Sequence, residues 1–177
     1  MIARTVVRKR YWDQYAGITL QDGVPFPENL SPPSLKQIAE ATFPTRWGSA
    51  LLRGFVMPSG EVEVMGVLFG DWQRENVLLH LHACCLYGDV FGSCLCACHE
   101  TLHRTMQTMQ QEGAGIVLYL NARENGLGSA LKRHVHRLDG NEDSANNCGT
   151  FTPLEFEACL VVLKQLQVSS IRFNESC

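Results

Sequence analysis

The chain has 177 residues, of which 45% are hydrophobic and 19% charged, a composition typical of one globular domain rather than of a disordered chain. Its net charge of -3 offers no basic surface for DNA or RNA. No apolar run approaches the roughly 18 residues that a membrane helix needs, and none follows the basic residues near the start. We therefore expect a cytoplasmic protein that binds neither nucleic acid nor membranes.

The first residues are the hardest to place. Residues 24–34 hold four of the seven prolines and are typical of an extended connector that ends where a helix starts. We interpret residues 1–34 as an N-terminal arm or extension. A short helix is predicted to follow it, over Leu35–Ala41.

The middle of the chain predicts a sheet with one covering helix. Ala50–Met57 and Glu61–Phe69 are strand-like, and the Pro-Ser-Gly between them indicates a hairpin. Val77–Ala83 is a third predicted strand. Apolar residues at helical spacing and a terminal glycine predict a helix over Leu102–Gly113. Ile116–Leu120 is a continuous apolar run, as expected of a central strand covered on both faces.

The last part of the chain predicts two further helices and a strand. Ser129–Leu138 is basic and helix-like, and Asp139–Gly149 is polar and turn-rich. A capping box with proline at the first helical position predicts a helix over Thr152–Gln165, and Ser169–Phe173 predicts the final strand. The fold class is therefore predicted as α/β (α+β), a single domain whose mixed β-sheet is covered by helices.

Five of the eight cysteines cluster in one short stretch: Cys84, Cys85, Cys94, Cys96 and Cys98. Without a secretory signal, such a cluster binds metal more often than it forms disulfides. Cys96-x-Cys98 places two thiolates on one turn, Cys85 can supply a third, and Zn²⁺ suits such ligands. Three ligands leave a position for water and make the site catalytic, whereas a fourth, from Cys84 or Cys94, would make it structural. The spacing does not decide between a catalytic and a structural metal site. A third interpretation is that the cysteines simply pack as small hydrophobic side chains.

These residues carry a resemblance to a known family. Cys85-Leu-Tyr-Gly-Asp89, followed by Cys96-x-Cys98, closely resembles the zinc signature of GTP cyclohydrolase II, which reads His-Ser-Glu-Cys-Leu-Thr-Gly-Asp and, further on, Cys-Asp-Cys-Gly. His82 matches the histidine of that motif, and the three cysteines match the ligands with the same spacing. The resemblance therefore implies Cys85, Cys96 and Cys98 as ligands of a Zn²⁺ cofactor.

The resemblance extends from about Lys36 to Phe173 and includes Ala39–Gly48, which is similar to the family's Ala-x-Leu-Pro-Thr-x-x-Gly. It implies a GTP cyclohydrolase II-like zinc domain over residues 35–177. It also implies zinc-activated attack of water on C8 of guanine, loss of formate, cleavage of pyrophosphate with magnesium, and a homodimer. A small-molecule heterocycle is the expected substrate.

The departures from the family pattern fall on positions that hold the nucleotide. The family's arginine, glutamate, glutamine, glutamate, arginine and tyrosine are replaced, in this order, by His80, Cys84, Thr101, Arg123, Asn125 and His136. The family's Asp-x-Arg falls on Thr152-Pro-Leu, which the capping box explains without catalysis. Its Thr-Asn-Asn-Pro-x-x-Lys phosphate loop has no counterpart before Cys177. The metal ligands are thus retained, and the set that would hold a triphosphate is not.

Candidate roles follow for the remaining polar residues. Substrate binding is assigned to His80, His82, Cys84, Thr101, Arg123 and Asn125, although a strand histidine such as His82 is often a satisfied core group. Asp89 is expected to orient Cys98 or a water molecule, or to cap the turn after Gly88. Glu124 is the candidate general base, or else a solvated loop carboxylate. His136 is the candidate acid–base group.

Three hypotheses about function result. The first is a zinc hydrolase that cleaves a C–N bond of a cyclic amidine, imide or amide in a specialised biosynthetic pathway. The second is a genuine GTP cyclohydrolase II with relocated substrate contacts. The third is an inactive structural or regulatory homologue, which a four-sulfur zinc shell would favour.

Overall fold

The computed structural model describes residues 34–122, 131 and 151–173. Six strands form one sheet: β1 (Lys36–Thr45), β2 (Gly48–Val56), β3 (Val62–Gly70), β4 (Val77–Ala83), β5 (Ala114–Ala122) and β6 (Ile171–Phe173). Two α-helices accompany them among the described residues: α1 (Cys98–Glu112) and α2 (Pro153–Gln165). A single π-helical turn, Leu86–Val90, follows β4.

The sheet is mixed, with the spatial order β1-β2-β3-β5-β4-β6. The first four strands in this order pair antiparallel, whereas β4 pairs parallel with both β5 and β6. Helix α1 lies in the connection from β4 to its parallel neighbour β5. Parallel strands need such a long crossover connection, whereas a short hairpin turn can join only antiparallel strands. The predicted α+β class with a mixed sheet is confirmed.

The two faces of the sheet carry separate apolar cores. On β4, Leu79 and Leu81 pack into the core that α2 completes with residues such as Leu160. Leu78 belongs to the opposite core, with Met109 of α1. Since side chains alternate along a strand, His80 and His82 share the α1 side of β4 with Leu78.

Most predicted elements are present. The hairpin of β2 and β3, the strand β4, the buried strand β5 and the last strand lie where they were predicted. The capping box is formed in both directions: Thr152 Oγ1 accepts from the Glu155 N–H, and the Glu155 carboxylate accepts from the Thr152 N–H. Neither α-helix of the described part is long and apolar enough to cross a membrane.

The helix predicted over Leu35–Ala41 is wrong, because Lys36–Thr45 is the edge strand β1. It pairs antiparallel with β2 from Lys36 opposite Val56 to Thr45 opposite Gly48, with one register shift. The hydrogen bonds of β1 to β2, a strand that was not part of the segment from which the helix was predicted, outweigh the local helix preference of these residues. The arm predicted over residues 1–34 lies outside the described residues except for its last residue, and so does the helix predicted over Ser129–Leu138 except for Leu131. The turn-rich segment Asp139–Gly149 lies outside them entirely.

Candidate metal centre

The three predicted ligands come together where β4 ends and α1 begins. The Sγ atoms of Cys85, Cys96 and Cys98 all lie within 4.8 Å of one another. Cys85 Sγ and Cys96 Sγ are 3.8 Å apart, and two sulfurs each about 2.3 Å from a tetrahedral zinc ion stand roughly 3.8 Å apart. The separation of the Cys85 and Cys96 sulfurs therefore fits a tetrahedral zinc ion. Among the described residues, this group includes neither Cys84 nor Cys94.

Gly88 keeps the π-helical turn in contact with the sulfurs. A Cβ atom added there would lie 2.7 Å from Cys96 Sγ, 3.0 Å from Cys98 Cβ and 3.2 Å from Cys85 Sγ. Any side chain would thus overlap the space that the thiolates occupy. The glycine of the signature is explained by this close approach of backbone to sulfur.

Asp89 anchors the turn through its carboxylate. Its Oδ2 accepts hydrogen bonds from the Cys85 N–H at 3.0 Å and from the Tyr119 hydroxyl at 2.8 Å, and His82 Nε2 lies 3.0 Å from both carboxylate oxygens. Burial acts to raise the pKa of Asp89, but these donors, His82 first, lower it below its usual value. Asp89 therefore holds the Cys85 backbone, and its expected role toward Cys98 or a water molecule stays a prediction.

His80 and His82 form a buried pair behind this carboxylate, with 3% and 6% of their surface exposed. His80 Nε2 lies 3.2 Å from His82 Nδ1. Because a carboxylate only accepts, His82 Nε2 carries a proton, and in neutral His82 the Nδ1 atom accepts from the His80 Nε2–H. A hydrogen-bonded series thus runs from His80 through His82 to Asp89.

Tyr119, which lies in the run Ile116–Leu120 predicted as a covered central strand, completes the series. Its ring stacks on His82, with centroids 5.2 Å apart, because the two residues are parallel partners on β5 and β4. Burial, then the hydrogen bond with Cys84 and the charge of Asp89, raises the pKa of the Tyr119 hydroxyl, which stays a donor. The aligned strand register is the signal that could have revealed this contact.

The other predicted site residues fall into two groups. Cys84 is half-buried beside the Tyr119 hydroxyl, and its N–H donates to the Leu120 carbonyl at 2.8 Å. Thr101 is half-buried on the first turn of α1. Four residues lie outside the described part of the chain, and their roles stay predictions: Arg123, Glu124, Asn125 and His136. Because β4 and β5 are parallel, the two strands end at the same end of the sheet, where Cys84 follows β4.

The chain is similar to known proteins over most of its length. A family model described as GTP cyclohydrolase II matches residues 36–173. A GTP cyclohydrolase-2 from Blochmanniella floridana is 34% identical over 144 residues, which cover 78% of this chain and 72% of that protein. The riboflavin biosynthesis protein RibBA of Cytophaga hutchinsonii is 38% identical over 97 residues, or 54% of this chain and 24% of that protein.

The chain spans about a quarter of the length of three RibBA proteins that it matches, including the one from Cytophaga hutchinsonii. Among solved structures, RibBX of A. baumannii, a two-domain 3,4-dihydroxy-2-butanone 4-phosphate synthase, superposes with a TM-score of 0.52. That match covers 84% of this chain and 36% of RibBX at 11% sequence identity, and it therefore supports the fold alone.

Proposed function

Because this chain belongs to the GTP cyclohydrolase II family, we propose that it is a zinc-dependent hydrolase that cleaves a C–N bond in a small cyclic substrate other than GTP. The observation that carries the proposal is the group of three sulfurs at the C-terminal end of β4. With three protein ligands, a tetrahedral ion keeps one position for water or substrate, which is the arrangement of catalytic rather than structural zinc sites.

The protein's own part in this chemistry is to hold the ligands and orient the groups around them. Zn²⁺, when bound by Cys85, Cys96 and Cys98, would act as a Lewis acid that polarises water or a substrate carbonyl. The buried carboxylate of Asp89 fixes both the Cys85 backbone and the His82 ring.

A substrate other than GTP is supported by the environment of His80. The family arginine at this position is replaced by an imidazole that is 3% exposed and hydrogen-bonded to His82. A buried imidazole with this partner cannot supply the fork of donors that a guanidinium presents to a nucleotide. The family glutamate at position 84 is likewise replaced by a thiol that contacts Tyr119.

A second candidate function is that of a genuine GTP cyclohydrolase II acting in riboflavin biosynthesis. It is favoured by the similarity to the Blochmanniella floridana GTP cyclohydrolase-2. In that case residues outside the described part, such as Arg123, would supply the missing contacts.

One experiment separates the candidates. Purified full-length protein, loaded with zinc and supplied with magnesium, is incubated with GTP and, separately, with a panel of cyclic amidines, imides and amides. We expect ring opening of a panel compound, and neither formate nor pyrophosphate from GTP. Formation of both from GTP would support the second candidate, and inactivity toward every compound would leave the inactive homologue.

We also propose that the chain forms a homodimer through β1. This edge strand is exposed along nearly its whole length, and Ile38 and Phe43 are 59% and 51% exposed. A long exposed edge strand that carries two exposed apolar side chains can pair with another strand, and a second copy of β1 offers one. Light scattering on Ile38→Glu tests the proposal: a dimer in the wild type and a monomer in the variant are expected, and an unchanged mass would reject it.

A further inference from the structure

A second group of side chains lies beside the cysteines and has no part in holding them. It begins at the turn between β1 and β2. Thr45 Oγ1 donates to the Gly48 carbonyl at 2.7 Å and accepts from the Trp47 N–H at 3.1 Å. A Cβ atom at Gly48 would lie 2.6 Å from the side chain of Gln110, so the turn rests directly on α1. The backbone of Trp47 is therefore fixed next to α1.

An unbroken series of contacts leads from this turn to the metal centre. The Trp47 ring contacts the His103 ring of α1 edge-on, with ring centroids 4.7 Å apart. The centroids of the His103 and His99 rings are 3.8 Å apart. His99 Nδ1 is 3.2 Å from the carbonyl oxygen of Asp89. A carbonyl only accepts, so the His99 Nδ1–H donates to it and fixes the ring against His103.

Arg46 places a permanent positive charge at the outer end of the series. Its guanidinium lies over the Trp47 ring, 5.5 Å from the centroid. Within the described part of the chain the exposed Arg46 forms no ion pair, like the exposed Arg104, whereas Arg53, Arg74 and Arg172 each pair with a glutamate. A cation held on an aromatic ring without a carboxylate partner is available to an anionic ligand.

The groups around His103 also favour the binding of an anion. Burial, then the neighbouring His99 and Arg46, lowers the pKa of His103, and the more distant carboxylate of Asp89 opposes them only in part. The imidazole is therefore neutral at neutral pH and offers one N–H donor beside the Arg46 charge. An oxyanion placed here would meet the Arg46 charge and the His103 N–H together.

We infer that Arg46, Trp47 and His103 form a binding site for an oxyanion, a carboxylate or phosphate, that is carried by the substrate of the adjacent metal centre. The guanidinium would bind the oxyanion through two N–H groups, His103 would donate a third hydrogen bond, and Trp47 would offer an aromatic edge to the attached ring. The inference rests on the proposed function, because it specifies the substrate as an anionic heterocycle. It also supplies the cation that is absent at position 80.

The test measures binding rather than turnover. The chain has three tryptophans, so the indole N–H signal of Trp47 can be assigned in a two-dimensional NMR spectrum of the full-length zinc-loaded protein by comparison with Trp47→Phe. The protein is titrated with benzoate, with phenyl phosphate and with the neutral benzamide. We expect a saturable shift of the Trp47 signal with at least one anion, and none with benzamide. The two anions distinguish a carboxylate from a phosphate ligand.

Arg46→Gln should weaken the anion affinity at least ten-fold, and Arg46→Lys, which keeps the charge, should weaken it less. Arg104→Gln is the matched control, because it removes the same charge from an exposed position next to His103. The inference is overturned if no anion shifts the Trp47 signal, if benzamide shifts it equally, or if Arg46→Gln and Arg104→Gln behave alike. Anion binding without any hydrolase activity would instead refute the proposed function and leave this site standing.

Discussion

Replacing Gly88 by alanine tests the metal centre at its tightest point. The added methyl carbon would lie 2.7 Å from Cys96 Sγ and 3.2 Å from Cys85 Sγ, whereas non-bonded heavy atoms settle at roughly 3.5–4.0 Å. The turn or the Cys96 thiolate must therefore shift by about 1 Å. Metal–ligand distances tolerate only about 0.2 Å, so the three sulfurs can no longer meet one ion without distortion.

We expect Gly88→Ala to lower zinc affinity by about 10–100-fold, the effect typical of disturbing the residues that orient metal ligands. The affinity is measured by competition with a chromophoric chelator, and bound zinc is counted by elemental analysis. Gly66→Ala is the control, because its Cβ would meet Leu68 Cδ2 at an ordinary 3.5 Å on β3. Wild-type zinc affinity in Gly88→Ala, or an equal loss in Gly66→Ala, would refute the assignment of this turn to a metal site.

Three further predictions concern single side chains. Asp89→Asn should lower zinc affinity about 10–100-fold, since an amide cannot accept all the hydrogen bonds of the carboxylate. The control Glu100→Gln, on the exposed surface of α1, should keep the wild-type affinity. Equal zinc affinities of the two variants in chelator competition would contradict this prediction. Thr152→Ala should lower the free energy of unfolding by about 1 kcal/mol, measured by urea denaturation, because the helix loses its cap, and an unchanged midpoint would count against it. The pKa of His103, followed by NMR, should lie below 6.5 and rise in Arg46→Gln, and an unchanged pKa in this variant would contradict the charge assignment. Because the folded state disfavours protonation of His103, the free energy of unfolding should increase with pH just below 6.5.

The elements that the sequence predicted correctly are those set by local chemistry. The cap at Thr152 and the turn between β2 and β3 depend on residues a few positions apart. The edge strand β1 was missed because its ladder partner, β2, lies beyond the window in which Leu35–Ala41 was interpreted as a helix.

The candidate site divides in the same way. The spacing of Cys85, Cys96 and Cys98 was legible in the sequence, because two of the ligands share one turn and the motif is specific. The part played by Tyr119 was not, because its contact with His82 arises from the register of two strands joined through a long connection. The turn that carries Trp47 was likewise unassigned, since only the folded chain brings it onto α1.

The coordination of the bound metal tests the central claim most directly. X-ray absorption at the zinc edge of the purified full-length protein reports the number and type of atoms around the ion. With Cys85, Cys96 and Cys98 as the protein ligands, we expect three sulfurs and one nitrogen or oxygen, and Cys84→Ser and Cys94→Ser should leave the spectrum unchanged. Four sulfurs, or a protein that binds no zinc, would contradict a catalytic three-cysteine centre.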